Sequence, residues 1–279
     1  MSRQNLATLD RNIGQMIGRQ IQEGFAHGFT NDLIFGGLLA GQSDIQGLHA
    51  ESVAQNCLLG TRRVTWDGEV HRYASAGASL AAGELSQSAA EGGTTTYQHD
   101  LTPVAAAIGA TQVTITTVTD TIAANLFAGG TLIISDGGAS IGQGEKYRIV
   151  SHTGGAAGAL IFTLDRGLST AWTTSSRITI CTNLYKAVIQ APVTTPTGMI
   201  VGVPTIAVTS EYYHWQQTWG LANVLNKTAL TAGTNVLRDV TAAGSCAVDD
   251  GALTNEAIGY SGWVTDTTDS GLVFLKISP

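Results

Sequence analysis

From residue 61 to the end of this chain no stretch keeps a helical period. Short β-prone runs are instead cut by glycine pairs and threonines, and that punctuation restricts the fold to sheets, sandwiches or barrels. Residues 112–119, 131–135, 146–152, 160–164 and 177–182 alternate or run apolar, with Gly129-Gly130, Gly137-Gly138 and Gly154-Gly155 between them. Short strands at this spacing predict a small barrel or sandwich over residues 101–185. Upstream, Asp67-Gly68 separates Arg62-Arg63-Val64-Thr65-Trp66 from a second β-prone run starting at Glu69. That dipeptide predicts a two-residue hairpin turn with both residues at positive φ. Residues 191–204, rich in Pro and Thr, read as a connection or an extended edge. Beyond them, strands are expected within 206–220, 235–241, 256–265 and 272–278, with 266–271 turning the last hairpin.

The first 60 residues follow another rule. Leu6, Leu9, Ile13, Met16, Ile17 and Ile21 recur at steps of three and four, with Arg11, Gln15, Arg19 and Gln22 between them. This is one face of an amphipathic helix. Gly14 and Gly18 weaken it in isolation, so the stripe calls for a partner surface. From Gly24 onward, frequent glycines with short apolar pieces predict a non-compact arm. The expected organisation is therefore an N-terminal helical arm (1–60), a β-rich core domain (61–100 with 186–279) and an inserted small β-barrel or sandwich domain (101–185). The arm is expected to be ordered by a sister copy or another assembly subunit, which makes Leu9, Ile13, Ile17, Ile21 and Phe25 candidate interface residues.

Charge narrows the function. Fourteen Lys and Arg against 21 Asp and Glu leave a net charge of −7, and only 13% of residues are charged. A phosphate-neutralising surface needs clustered cations, so nucleic acid is not an expected partner. No apolar run reaches the roughly 18 residues of a membrane helix, and the N-terminus lacks a basic segment followed by an apolar one, so neither a membrane nor a signal peptide is expected. Cys57, Cys181 and Cys246 are odd in number and far apart, which reads as buried small hydrophobes rather than a disulfide framework.

Chemistry is hard to find. Gly138-Ala139-Ser140-Ile141-Gly142 fits the G-x-S-x-G nucleophile elbow, and Asp165 and His214 follow in the right order. An elbow must lead into a helix, whereas here glycines and then a strand-like run follow, so a Gly-rich hairpin loop is expected. The six histidines lack metal-ligand spacing; Asp249-Asp250-Gly251 lacks a bidentate Glu at the right distance for a hard cation, and Asp266–Gly271, flanked by strands, reads as an Asx-type turn. No catalytic residue, cofactor or metal is expected. The aromatic cluster Tyr212, Tyr213, Trp215 and Trp219 has two readings, a core strand with one buried face or an interface and sugar-stacking platform; Tyr212, Trp215 and Trp219 are the candidates for the second.

The order of residues 64–89, 107–117, 128–152, 191–225 and 257–277 resembles the capsid cement (head decoration) proteins of tailed bacteriophages. The closing pattern Ala257-Ile258-Gly259-Tyr260 … Gly271-Leu272-Val273-Phe274-Leu275-Lys276-Ile277 is similar to the β-tulip core of shorter decoration proteins. The resemblance covers residues 61–279. It implies a mainly β fold with a tulip- or barrel-like core, and a chain made in the host bacterial cytoplasm and carried on the outer capsid surface. Its implied partners are the major capsid protein and further copies of itself, with a homotrimer favoured and a dimer as the alternative. A tail- or fibre-associated module binding host glycan, and a serine hydrolase using Ser140, are the competing expectations.

Overall fold

The computed structural model describes residues 46–90, 98–117, 121–136, 142–156, 158–193, 195–249, 251, 255–267 and 269–279, together with the backbone of residues 33–35. The described residues form strands and turns and contain no helix. The expected helical stripe, with Leu9, Ile13, Ile17, Ile21 and Phe25, lies outside them. Four short strands come first: β1 (Leu33–Phe35), β2 (Arg62–Val64), β3 (Val70–Ser75) and β4 (Ser86–Gln87). Six follow in one sheet, β5 (Thr102–Pro103), β6 (Gln112–Thr117), β7 (Thr131–Asp136), β8 (Lys146–His152), β9 (Gly158–Leu164) and β10 (Arg177–Cys181). The last seven are β11 (Ile189–Gln190), β12 (Ile200–Pro204), β13 (Tyr213–Asn226), β14 (Asn235–Arg238), β15 (Cys246–Val248), β16 (Ala257–Ser261) and β17 (Asp269–Lys276).

The six-stranded sheet runs β10-β7-β8-β9-β6-β5, with antiparallel neighbours throughout. Leu101 and Ile178 exchange both backbone hydrogen bonds, at 2.8 and 2.9 Å, and this bridge closes the sheet into a barrel without free edges. Alternation explains its interior: Tyr147 and Ile149 of β8, Leu160, Phe162 and Leu164 of β9, and Ile178 and Ile180 of β10 point inward and are buried. Phe127 and Trp172, from the connecting loops, fill the remaining space.

The other sheet is organised by one long strand. Over Trp219–Asn226, β13 pairs residue by residue with β17, and β15, β14 and β16 complete a five-stranded ring back to β17. Ala222, Val224, Val236, Ile258, Val273 and Leu275 fill this ring. At Gly259 a Cβ would run into the carbonyl oxygen of Phe274, so only glycine lets β16 lie this close to β17. The other half of β13 pairs with β3 and, through Gln216 and Gln217, with β12. A register shift between Gln217 and Trp219 marks the change of partner.

Three expectations change in detail. The hairpin at Asp67-Gly68 is not a two-residue turn: Gly68 N–H donates to Thr65 O and only Gly68 has positive φ. Thr65–Gly68 is a tight turn closed by a left-handed glycine, the Asp67 carboxylate accepts the Thr65 hydroxyl, and Trp66 is placed on the turn rather than in a strand. Residues 200–204 are neither a connection nor an edge; β12 is buried along its whole length, between β4 and β13. The final turn lies before Asp269, since Asp269–Gly271 already belong to β17.

Candidate functional site

The aromatic cluster divides at the register shift in β13. Trp215 is fully buried: its Nε1 donates to Gln46 O at 3.0 Å, its ring meets Tyr73 edge-on at 5.0 Å, and the Arg63 guanidinium lies 5.4 Å from its centroid. Trp215 therefore presents no surface to a partner, which corrects its reading as an interface residue. Tyr212 and Tyr213 are half-buried; Tyr212 packs beside Val188, Val201 and Val208, and Tyr213 stacks on Tyr73 at 6.0 Å. The expectation that one face of this run is core understates the burial, because His214, Gln216 and Thr218 on the opposite face are also buried. Gln216 is held there by Ser86 Oγ, which donates to its Oε1 at 2.7 Å, and by its own Nε2, which donates to Val201 O at 3.1 Å.

Gln46 closes the Trp215 side. Its side chain donates to Ala50 O and Tyr213 O and accepts from Tyr73 Oη and Asn56 Nδ2, while its carbonyl accepts from Arg63 Nη1 and Trp215 Nε1. Burial pushes the Tyr73 phenol up to about 12, so it stays a protonated donor.

Beyond the shift the strand behaves differently. Trp219, Leu221 and Asn223 point outward from the ring, as do Leu272, Phe274 and Lys276 of β17 and Tyr260 of β16. Phe274 is central: Leu221 and Tyr260 are its cross-strand partners on either side, and the Trp219 ring meets it edge-on at 5.7 Å. Lys276 Nζ lies 4.1 Å from the Tyr260 centroid, a cation–π contact at the rim. Beside the patch, Gly262 donates its N–H to Leu272 O, and Trp263 follows on the loop with 69% of its surface exposed. The hairpin tip carrying Trp66, 81% exposed, lies next to Trp219, because Glu69 abuts Gly220 and Val70 is the cross-strand partner of Trp219. Of the three expected aromatic interface residues, only Trp219 belongs to this outward face. Leu221, Tyr260, Trp263, Leu272 and Phe274 were not singled out from sequence, although the i, i+2 alternation of residues 272–276 was a usable signal.

The remaining polar groups serve the fold. Ser140 lies outside the described residues; the chain after it turns at Gly142 and enters β8, a strand where an elbow needs a helix. His214 is fully buried and so meets no substrate in solution, whereas Asp165 is exposed and its Oδ1 accepts the Arg148 backbone N–H. His152 Nε2 accepts from Phe127 N at 2.9 Å, which leaves Nδ1 to donate to Thr153 O; burial lowers its pKa. A cleft of about 570 Å³ lies between the barrel and the β3–β13 region, lined by Leu58, Asn125, Arg148, Asn183, Lys186 and Tyr213 among others. Asn183 spans it, donating to Leu59 O and Gly129 O, and Lys186 donates to Leu126 O; these contacts tie the barrel to the rest of the chain. Among the described residues no group of three or more His, Cys, Asp or Glu is placed to hold a metal ion, and no helix is long and apolar enough to cross a membrane. Comparison with known protein families, with curated proteins and with solved structures finds no match.

Proposed function

We propose that this chain is a virion structural protein that binds the outer surface of a phage capsid and cements neighbouring major capsid protein subunits. The observation that carries the reading is the outward face of the five-stranded ring. Trp219, Leu221, Leu272, Phe274 and Tyr260 form a contiguous apolar and aromatic surface with few charges, the composition of a protein contact rather than of a solvated sheet face. The resemblance of residues 61–279 to capsid cement proteins supports the same reading, with the ring in the role of the β-tulip core. Binding made only on the assembled lattice would stabilise that lattice by linkage, and a homo-oligomer would multiply it through avidity. A trimer suits local three-fold positions of an icosahedral shell, and a dimer suits its two-folds. A glycan-binding tail or fibre module is the second reading; the exposed Trp66 and Trp263 favour it as stacking platforms.

The test is sedimentation of the purified protein with expanded empty heads of its own phage at low and high salt, with light scattering for its mass. Saturable binding that changes little with salt is expected, because few screened ion pairs are available to a chain this poor in charge. Failure to bind heads, or loss of binding in moderate salt, refutes the reading. Binding to host-cell glycan in place of heads would establish the alternative.

A further inference from the structure

We propose that the cleft between the barrel and the β3–β13 region is a second interaction site, and that it takes an acidic segment of a partner protein, bound extended, with two carboxylates on either side of an apolar residue. The site is separate from the aromatic face of the ring, and the inference does not rest on a capsid as the partner of that face.

The lining carries the argument. β8 turns Arg148 and Val150 outward from the barrel into the cleft, where both are exposed. The Arg148 backbone is bonded to Asp165, but its guanidinium meets no carboxylate or carbonyl among the described residues. Lys186, in the chain that leads from the barrel to β11, is half-buried; its Nζ donates to Leu126 O and lies 3.5 Å from Asn125 O, so it rests on neutral carbonyls. Burial lowers its pKa, with no carboxylate close enough to offset the lost hydration. Asp165, the acidic residue among those lining the cleft, is already engaged: its Oδ1 accepts the Arg148 backbone N–H and its Oδ2 lies 4.0 Å from Arg166. Two cations without counter-ions, in a chain of net charge −7, make this cleft complementary to carboxylates.

Spacing and size select an extended chain over a single anion. Asn125 Oδ1 accepts the His152 backbone N–H, so the loop on which Lys186 rests meets β8 at His152. His152 is four residues from Arg148, ~13 Å along the strand, with Val150 midway between them. An extended peptide sets residues i and i+4 on one side at the same ~13 Å, with i+2 between them. Carboxylates at i and i+4 then meet the two cations, while an apolar side chain at i+2 covers Val150 and Leu58, which are 54% and 62% exposed. The cleft volume of about 570 Å³ is that of a ligand site and far exceeds what one inorganic anion fills. A glycan matches less well, because Tyr213, the aromatic ring that lines the cleft, already stacks on Tyr73.

The experiment is fluorescence anisotropy with the full chain and a labelled peptide whose core is Glu-Ser-Leu-Ser-Glu. Two control peptides carry glutamine for both glutamates, or the same residues with the glutamates adjacent. Saturable binding of the first peptide is expected, weakened by about tenfold or more in each control, as for the loss of one charge-assisted hydrogen bond. Arg148→Ala and Lys186→Gln should each weaken it by a similar factor; the glutamine can still donate to Leu126 O. Arg177→Ala, which removes a barrel cation outside the cleft, should leave binding unchanged. Absence of saturable binding, equal binding of the adjacent-glutamate peptide, or an equal loss in Arg177→Ala overturns the inference. The peptide controls decide the matter even where a variant folds poorly. A sulfated disaccharide that binds more tightly than the peptide, and loses affinity in Arg148→Ala, overturns it in favour of an anionic sugar. Peptide binding should weaken as salt rises, whereas head binding should not, so failure here is separate from failure to bind a capsid.

Discussion

Lowering the pH from 7.5 to 5 is expected to cost this protein stability, most of all at His214. It sits on β13 with no solvent exposure, and neither ring nitrogen lies in a well-formed hydrogen bond. Burial pushes its pKa down to about 4, against a smaller upward influence from the Gln216 side chain and the Glu51 carboxylate. In the unfolded chain it titrates near ~6.5. Between those values the unfolded state binds the proton and the native state does not, so stability falls as pH falls through that window and is fully present above it. Integrating over the window gives a loss of about 2 kcal/mol at pH 5 and about 3 kcal/mol at pH 4. His152, whose pKa is also lowered by burial, shifts stability in the same direction. The assay is urea unfolding followed by tryptophan emission at several pH values, for the unaltered chain and for His214→Leu. The leucine fills a similar volume without burying unpartnered nitrogens, so at pH 7.5 the variant should be at least as stable. Its stability should then fall about 2 kcal/mol less on going to pH 5. Parallel pH profiles for the two proteins would refute the argument that His214 is buried neutral.

Gln46→Ala should destabilise the chain by roughly 1–3 kcal/mol in urea unfolding, because it removes the side-chain hydrogen bonds to Ala50 O, Tyr213 O, Tyr73 Oη and Asn56 Nδ2 at once, although Asn56 N–H still donates to Tyr73 Oη and Ser52 N–H to Tyr213 O. Tyr73→Phe should cost about 1–2 kcal/mol, since it removes the bonds to Gln46 Oε1 and from Asn56 N–H and leaves the other Gln46 bonds in place. Gly259→Ala should cost about 3 kcal/mol or prevent folding, since the added methyl collides with the Phe274 carbonyl and β16 must part from β17; thermal unfolding reads this directly. Cys246 is buried and its thiol is pushed up to about 12, so in the native protein a thiol reagent at pH 8 should label no more than Cys57 and Cys181. Denaturant should expose the third thiol; fast labelling of all three in the native state would show the ring to be open.

Local pattern alone determines much of the barrel. Residues 146–152 and 177–182 alternate so regularly that their strands coincide with β8 and β10 to within a residue, because a half-buried strand writes period two into its own sequence. The Gly-rich breaks between them are equally local, since a turn needs its special backbone angles from its own residues. Tertiary structure decided what local pattern does not carry. Nothing in Leu101 or Ile178 announces that they close a barrel, because a single bridge between residues 77 positions apart is a property of the closed sheet. The run from Tyr213 to Thr218 has too many polar residues to read as buried on both faces; it becomes so because Gln46 covers one face and accepts from Trp215, while Ser86 and β12 cover the other and bind Gln216. The aromatic face was hidden for the same reason. Trp219, Tyr260 and Phe274 come from three strands up to 55 residues apart, and whether each points inward or outward depends on a register shift in β13 and on ring closure. Alternation tells which residues share a face, but only the packing of the other strands tells which face is left to the solvent.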